Sequence, residues 1–381
     1  MIRVLIAEDS ITVRELLVAL LGADPEIEIA GTAKNGREAI EMTRRLRPDV
    51  VTMDVNMPEV DGFEATKQIM IETPTPIVII SASVDVRHTN TSMNALRAGA
   101  LALLAKPPGV NAANFQALSA DLTSTIKAMA GVKVVRHRRE PRAPAVLRHA
   151  TNVPKLARVR IIAIAASTGG PAALAQILAD LPAQFPVPIL IVQHLASGFV
   201  SGLVSWLNTV CPLNVKVARD GDPLTASTVY VAGDGAHLGV GPDFTIKLHY
   251  AGPIVGFRPS ATHLFQSVAA VFGSSSVALI LTGMGQDGVE GLHAIRTVGG
   301  GVLAQDEASS VVFGMPGAAI TQGLVDEVLP LSSIGDRLMN MMASTRGARS
   351  KEEADDSHLD RRGQPDSSRT AEAEPRGGGL R

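Results

Sequence analysis

Arg160-Ile161-Ile162-Ala163-Ile164-Ala165-Ala166-Ser167-Thr168-Gly169-Gly170-Pro171 decides the fold of the second half of the chain. The apolar run reads as a strand, and the Thr-Gly-Gly-Pro that follows reads as a helix start. Apolar runs of the same kind recur at Ile189–Gln193, Thr228–Ala232, Val277–Leu281 and Gly301–Ala304, with glycine-rich or helical stretches between them. Strands alternating with helices predict a doubly wound, mostly parallel α/β domain over 159–343. Working outward, residues 1–127 repeat the theme in a tighter form. Val4–Ala7, Ile27–Ala33, Val50–Met53, Ile77–Ile80 and Leu101–Leu104 are apolar, and amphipathic stretches such as Ser10–Leu21 and Gly36–Leu46 follow them. Five strands and five helices in that length predict a flavodoxin-like domain.

Between the two, residues 128–158 collect Lys133, Arg136, Arg138, Arg139, Arg142, Arg148, Lys155 and Arg158 against a lone Glu140, with Pro141, Pro144 and Pro154 among them. That composition reads as a solvated linker. Residues 344–381 are charged and almost free of large apolar side chains, which predicts a disordered tail.

The bulk composition excludes several classes of function. A net charge of −2 argues against a polyanion binder, and 3% aromatic content against a base-stacking surface, so no nucleic-acid partner is expected. Cys211 is the single cysteine; it excludes an intramolecular disulfide and fits a reducing compartment. No apolar stretch is long enough to span a bilayer, and Met1–Ala7 runs into Glu8-Asp9 as a strand does, not as a signal peptide does. A cytoplasmic monomer is expected.

Two places carry chemistry. In the first domain Glu8-Asp9 follow strand one and Asp54 follows strand three, so a parallel sheet gathers them at one edge. Crowded carboxylates repel unless a hard cation neutralises them, and Mg²⁺ with oxygen ligands fits best. An aspartate held this way can attack a phosphoryl group, with Ser81 and Lys106 at neighbouring strand ends to grip its oxygens. In the second domain Ser167 ends a strand beside a helix N-terminus, which suits a developing oxyanion. Alone, the same residues read as an ordinary helix start. A nucleophilic serine needs an imidazole and a buried carboxylate. His194 follows the run ending in Gln193, and His237, in Gly233-Asp234-Gly235-Ala236-His237, rivals it, as base or as a lining of the substrate cleft. Asp287 lies just past Val277–Leu281. No Gly-x-Ser-x-Gly elbow surrounds Ser167, and no Gly-x-Gly-x-x-Gly turn follows its strand.

Longer segments resolve the choice. Ala7-Glu8-Asp9-Ser10, Met53-Asp54-Val55-Asn56-Met57-Pro58, Ser81-Ala82 and Lys106-Pro107 resemble the receiver domain of two-component response regulators. The resemblance implies phosphorylation of Asp54 by a histidine kinase, Mg²⁺ held by Glu8, Asp9, Asp54 and the Asn56 carbonyl, and phosphoryl sensing by Ser81 and Lys106. Leu103 stands where many receivers carry a switching aromatic. Ile164–Pro171, Ile191–His194, Gly256-Phe257-Arg258-Pro259-Ser260, Leu281–Gly288, Ala304–Ser309 and Val311–Pro316 resemble the catalytic domain of chemotaxis protein-glutamate methylesterases. That resemblance implies Ser167 as nucleophile, His194 as base and Asp287 as its orienter. Thr168 and the Met284 backbone N–H would support the oxyanion hole, and no cofactor would be needed. It further implies demethylation of glutamate γ-methyl esters on chemoreceptor cytoplasmic domains, with deamidation of glutamines. The modest link between the two domains predicts that the unphosphorylated receiver covers the cleft and that phosphorylation of Asp54 releases it. One departure is His263, near where the family usually carries an acidic residue. The remaining alternatives are a receiver-controlled scaffold and a metabolite-binding domain.

Overall fold

A computed structural model describes residues 1–81, 93–107, 115–132, 134 and 159–342. Ala82, most of the expected linker and the expected tail 344–381 lie outside the described residues. In the first unit the strands are β1 (Ile2–Ala7), β2 (Ile27–Ala33), β3 (Val50–Met53), β4 (Ile77–Ser81) and β5 (Ala102–Ala105). The helices are α1 (Ile11–Gly22), α2 (Gly36–Leu46), α3 (Gly62–Glu72), α4 (described over 93–97) and α5 (Phe115–Ala130). The sheet is parallel in the order β2-β1-β3-β4-β5, which is the flavodoxin-like order. Polar caps set the helix starts: Ser10, Asn35 and Asp61 accept the Val13, Glu38 and Glu64 backbone N–H groups in turn. β5 stands at the open edge of this sheet.

The second unit has seven strands in the order β14-β13-β12-β6-β7-β9-β8, every pairing parallel. They are β6 (Ile161–Ala166), β7 (Ile189–Gln193), β8 (Asn214–Val217), β9 (Thr228–Val231), β12 (Ser276–Ile280), β13 (Gly301–Gln305) and β14 (Glu327–Leu329). An antiparallel pair, β10 (His237–Val240) and β11 (Ile246–His249), stands apart from the sheet. The helices are α6 (Gly170–Ala179), α7 (Val200–Val210), α8 (Ala261–Phe272), α9 (Val289–Thr297), α10 (Gly314–Thr321) and α11 (described over 331–342). β6 through β7, β12 and β13 are buried along their whole length, as a sheet covered by helices on both faces requires. Tyr230, Leu264, Phe265 and Ile280 fill one face, and Leu174, Ile177, Leu203 and Leu338 the other. Strand order reverses at β6, which lies between β7 and β12. Open α/β sheets form their ligand crevices at such a point.

The two units meet at the edge strand of the first. The Leu101 carbonyl, just before β5, accepts a hydrogen bond from the Gly169 N–H at 3.2 Å. Buried apolar contacts run on from Met93, Leu96 and Leu103 to Ala166, Ala173 and Leu174.

Candidate active site

β6, β7 and β12 deliver the three expected side chains to one edge. Ser167 follows β6 directly, His194 follows β7, and Asp287 lies in the turn between β12 and α9. Ser167 and His194 line one cavity of about 600 Å³ with Thr168, Gly169, Phe257 and Met284, while Asp287 sits behind His194. Its opposite wall comes from the first unit: Leu103, Leu104 and Ala105 of β5, and Leu118, Asp121, Leu122 and Thr125 of α5. The interface therefore roofs the site.

Asp287 is the best-determined member. It is 1% exposed, and a carboxylate that dry must be fully paired. Its Oδ2 lies 2.9 Å from His194 Nε2 and accepts the Ala261 N–H at 2.7 Å. Oδ1 accepts the Ser260 hydroxyl at 2.8 Å and the Thr262 N–H at 3.1 Å. The carboxylate thus closes the N-terminus of α8, where free N–H groups and the helix dipole favour an anion. Burial pushes its pKa up; the hydrogen bond and charge of His194, the Ala261 N–H and the Ser260 hydroxyl outweigh burial and hold it at about 2.

His194 gives its Nε2 to Asp287, so Nδ1 carries the free lone pair in the neutral ring. Nδ1 is buried and has no hydrogen-bond partner among the described residues, so it does not touch the Ser167 hydroxyl in this structure. Such contacts tighten when substrate arrives. Phe257 stacks flat on the imidazole, with ring centres 4.1 Å apart and planes 7° apart.

Gln193 joins Ser167 and His194. Its Nε2 donates to the Ser167 carbonyl at 2.7 Å and the His194 carbonyl at 2.9 Å. The side chain is 2% exposed, and its Oε1 lies where a Cβ on Gly170 would stand, at 2.0 Å. Gly170 is thereby explained: any larger residue would displace the amide. Gly283 is a second close approach, since a Cβ there would meet the Ser167 Cβ at 2.7 Å. Met284 follows it in the turn over Ser167, and the Thr282 hydroxyl donates to the Thr168 carbonyl at 2.9 Å. The expected oxyanion pair therefore borders the nucleophile.

His237 does not line the cleft. It is fully buried, with Nδ1 accepting the Ser260 N–H at 3.1 Å and Nε2 donating to the Gly252 carbonyl at 3.0 Å. His263 is also absent from the cavity wall; it packs against the His237 and His249 rings, with centroids 5.3 and 5.1 Å away. Burial above all, with the neighbouring His237 and His249 imidazoles disfavouring a further positive charge, lowers its pKa to about 4. Two contributors were missed in the sequence. Gln193 could have been found, because an amide ending an apolar strand has to be paired. Ser260 could not, because its partner lies 27 residues away.

The acidic site forms as expected. Glu8 and Asp54 are buried and Asp9 is exposed, and one ligand atom of each lies within 4.8 Å of the others. Lys106 Nζ reaches Glu8 at 2.9 Å and Asp54 at 3.0 Å. Burial raises the Asp54 carboxyl more than Lys106 and the Val55 and Asn56 N–H groups lower it. Glu8 is raised by burial and by Asp54. Burial pulls Lys106 down, yet Asp54 and Glu8 together push it up. Ser81 ends β4, buried, and its carbonyl accepts the Lys106 N–H at 3.0 Å. An all-oxygen donor set this crowded suits a divalent metal ion. Among the described residues no helix is long and apolar enough to cross a membrane.

Known proteins match along nearly the whole chain. A family profile described as CheB methylesterase matches residues 162–338, and one described as response regulator receiver domain matches residues 4–114. Protein-glutamate methylesterase/protein-glutamine glutaminase 4 of Myxococcus xanthus is 51% identical over 349 residues, covering 91% of this chain and 98% of that protein. The protein named methylesterase/glutaminase 3 in Anaeromyxobacter dehalogenans is 52% identical over 339 residues, covering 89% and 98%. A Nitrosospira multiformis protein of the same name is 45% identical over 346 residues, covering 90% and 98%. The chain belongs to the protein-glutamate methylesterase/protein-glutamine glutaminase family.

Proposed function

We propose that this chain hydrolyses glutamate γ-methyl esters on the cytoplasmic domains of chemoreceptors, and deamidates selected glutamines there, under control of its own receiver. The observation that carries the reading is the committed ring of His194. With Nε2 hydrogen-bonded to a carboxylate held near pKa 2, Nδ1 is the ring atom that takes the Ser167 proton. Ser167 Oγ then attacks the ester carbonyl, and the oxyanion falls near the Thr168 and Met284 turn. Nδ1 returns the proton to the departing methoxide, which leaves as methanol. Water, deprotonated by Nδ1, attacks the glutamyl ester; the free glutamate leaves and Ser167 regains its proton. With a glutamine substrate the same steps release ammonia.

The control input is Asp54. Its carboxylate accepts a phosphoryl group from a histidine kinase, the phosphohistidine nitrogen being the leaving group. Glu8, Asp9, Asp54 and the Asn56 carbonyl would hold Mg²⁺, which neutralises the crowded carboxylates when bound. Lys106 and Ser81 would pair with the new phosphoryl oxygens. The roof of β5 and α5 over the cavity supports a closed state that phosphorylation opens. Opening of that kind needs a differential of a few kcal/mol.

Mass spectrometry of methylated receptor peptides tests the reading. The chain treated with a small phosphodonor should remove a methyl mass from glutamates, and Ser167→Ala should lose activity by roughly 10⁴-fold or more. An unchanged peptide mass, or an Asp54→Ala protein that still responds to the phosphodonor, overturns it.

A further inference from the structure

A second layer lies behind Asp287 that the proposed reaction does not use. His237 opens β10 with no exposed surface, and both its ring nitrogens are engaged. Nδ1 accepts from the Ser260 backbone and Nε2 donates to the Gly252 carbonyl, which fixes one neutral tautomer. The two contacts pin both ends of the segment 252–260. Within that segment Phe257 lies flat on His194, and at its end the Ser260 hydroxyl donates to Asp287 Oδ1. One buried imidazole therefore braces His194 from two directions, through the carboxylate and through the stacked ring.

We propose that His237 is a positioning residue for His194, acting through Ser260 on Asp287 and through the 252–260 segment on Phe257. The inference rests on reading Ser167, His194 and Asp287 as the triad. A metal site made with His249 and His263 is the competing use of the same histidines. It fails because His237 has no nitrogen left for an ion, and the described residues place no trio of ligating atoms there.

Three variants separate positioning from plain packing. His237→Asn keeps an acceptor where Nδ1 stands, His237→Gln keeps a donor near Nε2 only, and His237→Leu keeps neither. In the full-length protein treated with a phosphodonor, methanol release from a methylated receptor fragment should show kcat falling about ten- to a hundredfold in the Leu and Gln variants, the loss expected when a Ser260 no longer held in place gives up its hydroxyl's hydrogen bond to the charged Asp287 carboxylate. KM should hold, and His237→Asn should recover most of kcat. Ser260→Ala should fall by a smaller factor, since it removes only the path to Asp287, and the Ser260→Ala/His237→Leu double variant should fall no further than His237→Leu alone, which already disables that path. Full kcat in a folded Gln variant, or losses that multiply in the double variant, overturn the proposal. If the Leu variant does not fold, the contrast between Asn and Gln carries the test. Fluorophosphonate labelling keeps the two readings apart. An unlabelled Ser167 in the parent protein defeats the triad itself, whereas a labelled parent matched in rate by His237→Gln defeats this proposal alone.

Discussion

Gln193 holds the tightest constraint on the proposed nucleophile and base, since one amide nitrogen serves both of their carbonyls. Leucine there would leave the His194 carbonyl without that donor, at about 1–3 kcal/mol if it is buried, while the Ser167 carbonyl would keep only the Gly170 N–H. It would also let Ser167 and His194 drift, and displacements of an ångström cost about a hundredfold. We expect Gln193→Leu to lower kcat by that order, read as methanol release, with slower fluorophosphonate labelling of Ser167. Gln193→Glu should be worse, because its carboxylate would face the same two carbonyls. His263 supplies a prediction about stability. The unfolded chain takes a proton on this residue near pH 6.5, whereas the folded chain resists until about pH 4. The unfolded state therefore binds more protons between those values, and stability falls as pH drops through the window. Urea midpoints at pH 7 and pH 5 should differ, and His263→Gln should flatten the difference.

Among the elements, α8 does more than pack. Its N-terminus receives Asp287 through two backbone N–H groups, so the charge of the proposed orienter is built into a helix start. Asp287→Asn would lose that charge and let His194 take the wrong tautomer. We expect kcat to fall by about 10⁴-fold on the serine-hydrolase template, with the fold retained by circular dichroism. How far the elements could be read beforehand varied with the kind of signal. Gly36–Leu46 was legible to the residue, because Asn35 caps it and its apolar positions keep a helical period. Ile189–Gln193 was equally plain as an unbroken apolar run. The short strands Asn214–Val217, Ile246–His249 and Glu327–Leu329 were not, since each spans only three or four positions and includes polar residues. His194 and His237 could not be separated by pattern alone. One ends a strand at the crevice and the other begins a strand behind it, and only the sheet order distinguishes those places.

On the scale of the whole molecule, catalysis and control share a wall. Leu103 is 6% exposed and lines the cavity at the contact between units. A carboxylate buried there without a partner would penalise the closed arrangement by several kcal/mol. We expect Leu103→Asp to raise the ester hydrolysis of the unphosphorylated chain several-fold and to shrink its response to a phosphodonor. Equal rates in parent and variant, both before and after phosphodonor, would show that this wall does not restrain the enzyme. The signal also has little distance to cover. Lys106, which grips the acidic site, and Leu101, whose carbonyl holds the Gly169 N–H, stand at opposite ends of β5. At about 3.3 Å per residue they are roughly 17 Å apart along a single extended strand. We expect a shift of the lysine at one end to reach, along this strand, the loop two residues past Ser167 at the other. We expect the chain to work as a latch whose bolt is one strand long, so that lengthening that strand by a residue should leave both ends intact yet out of touch.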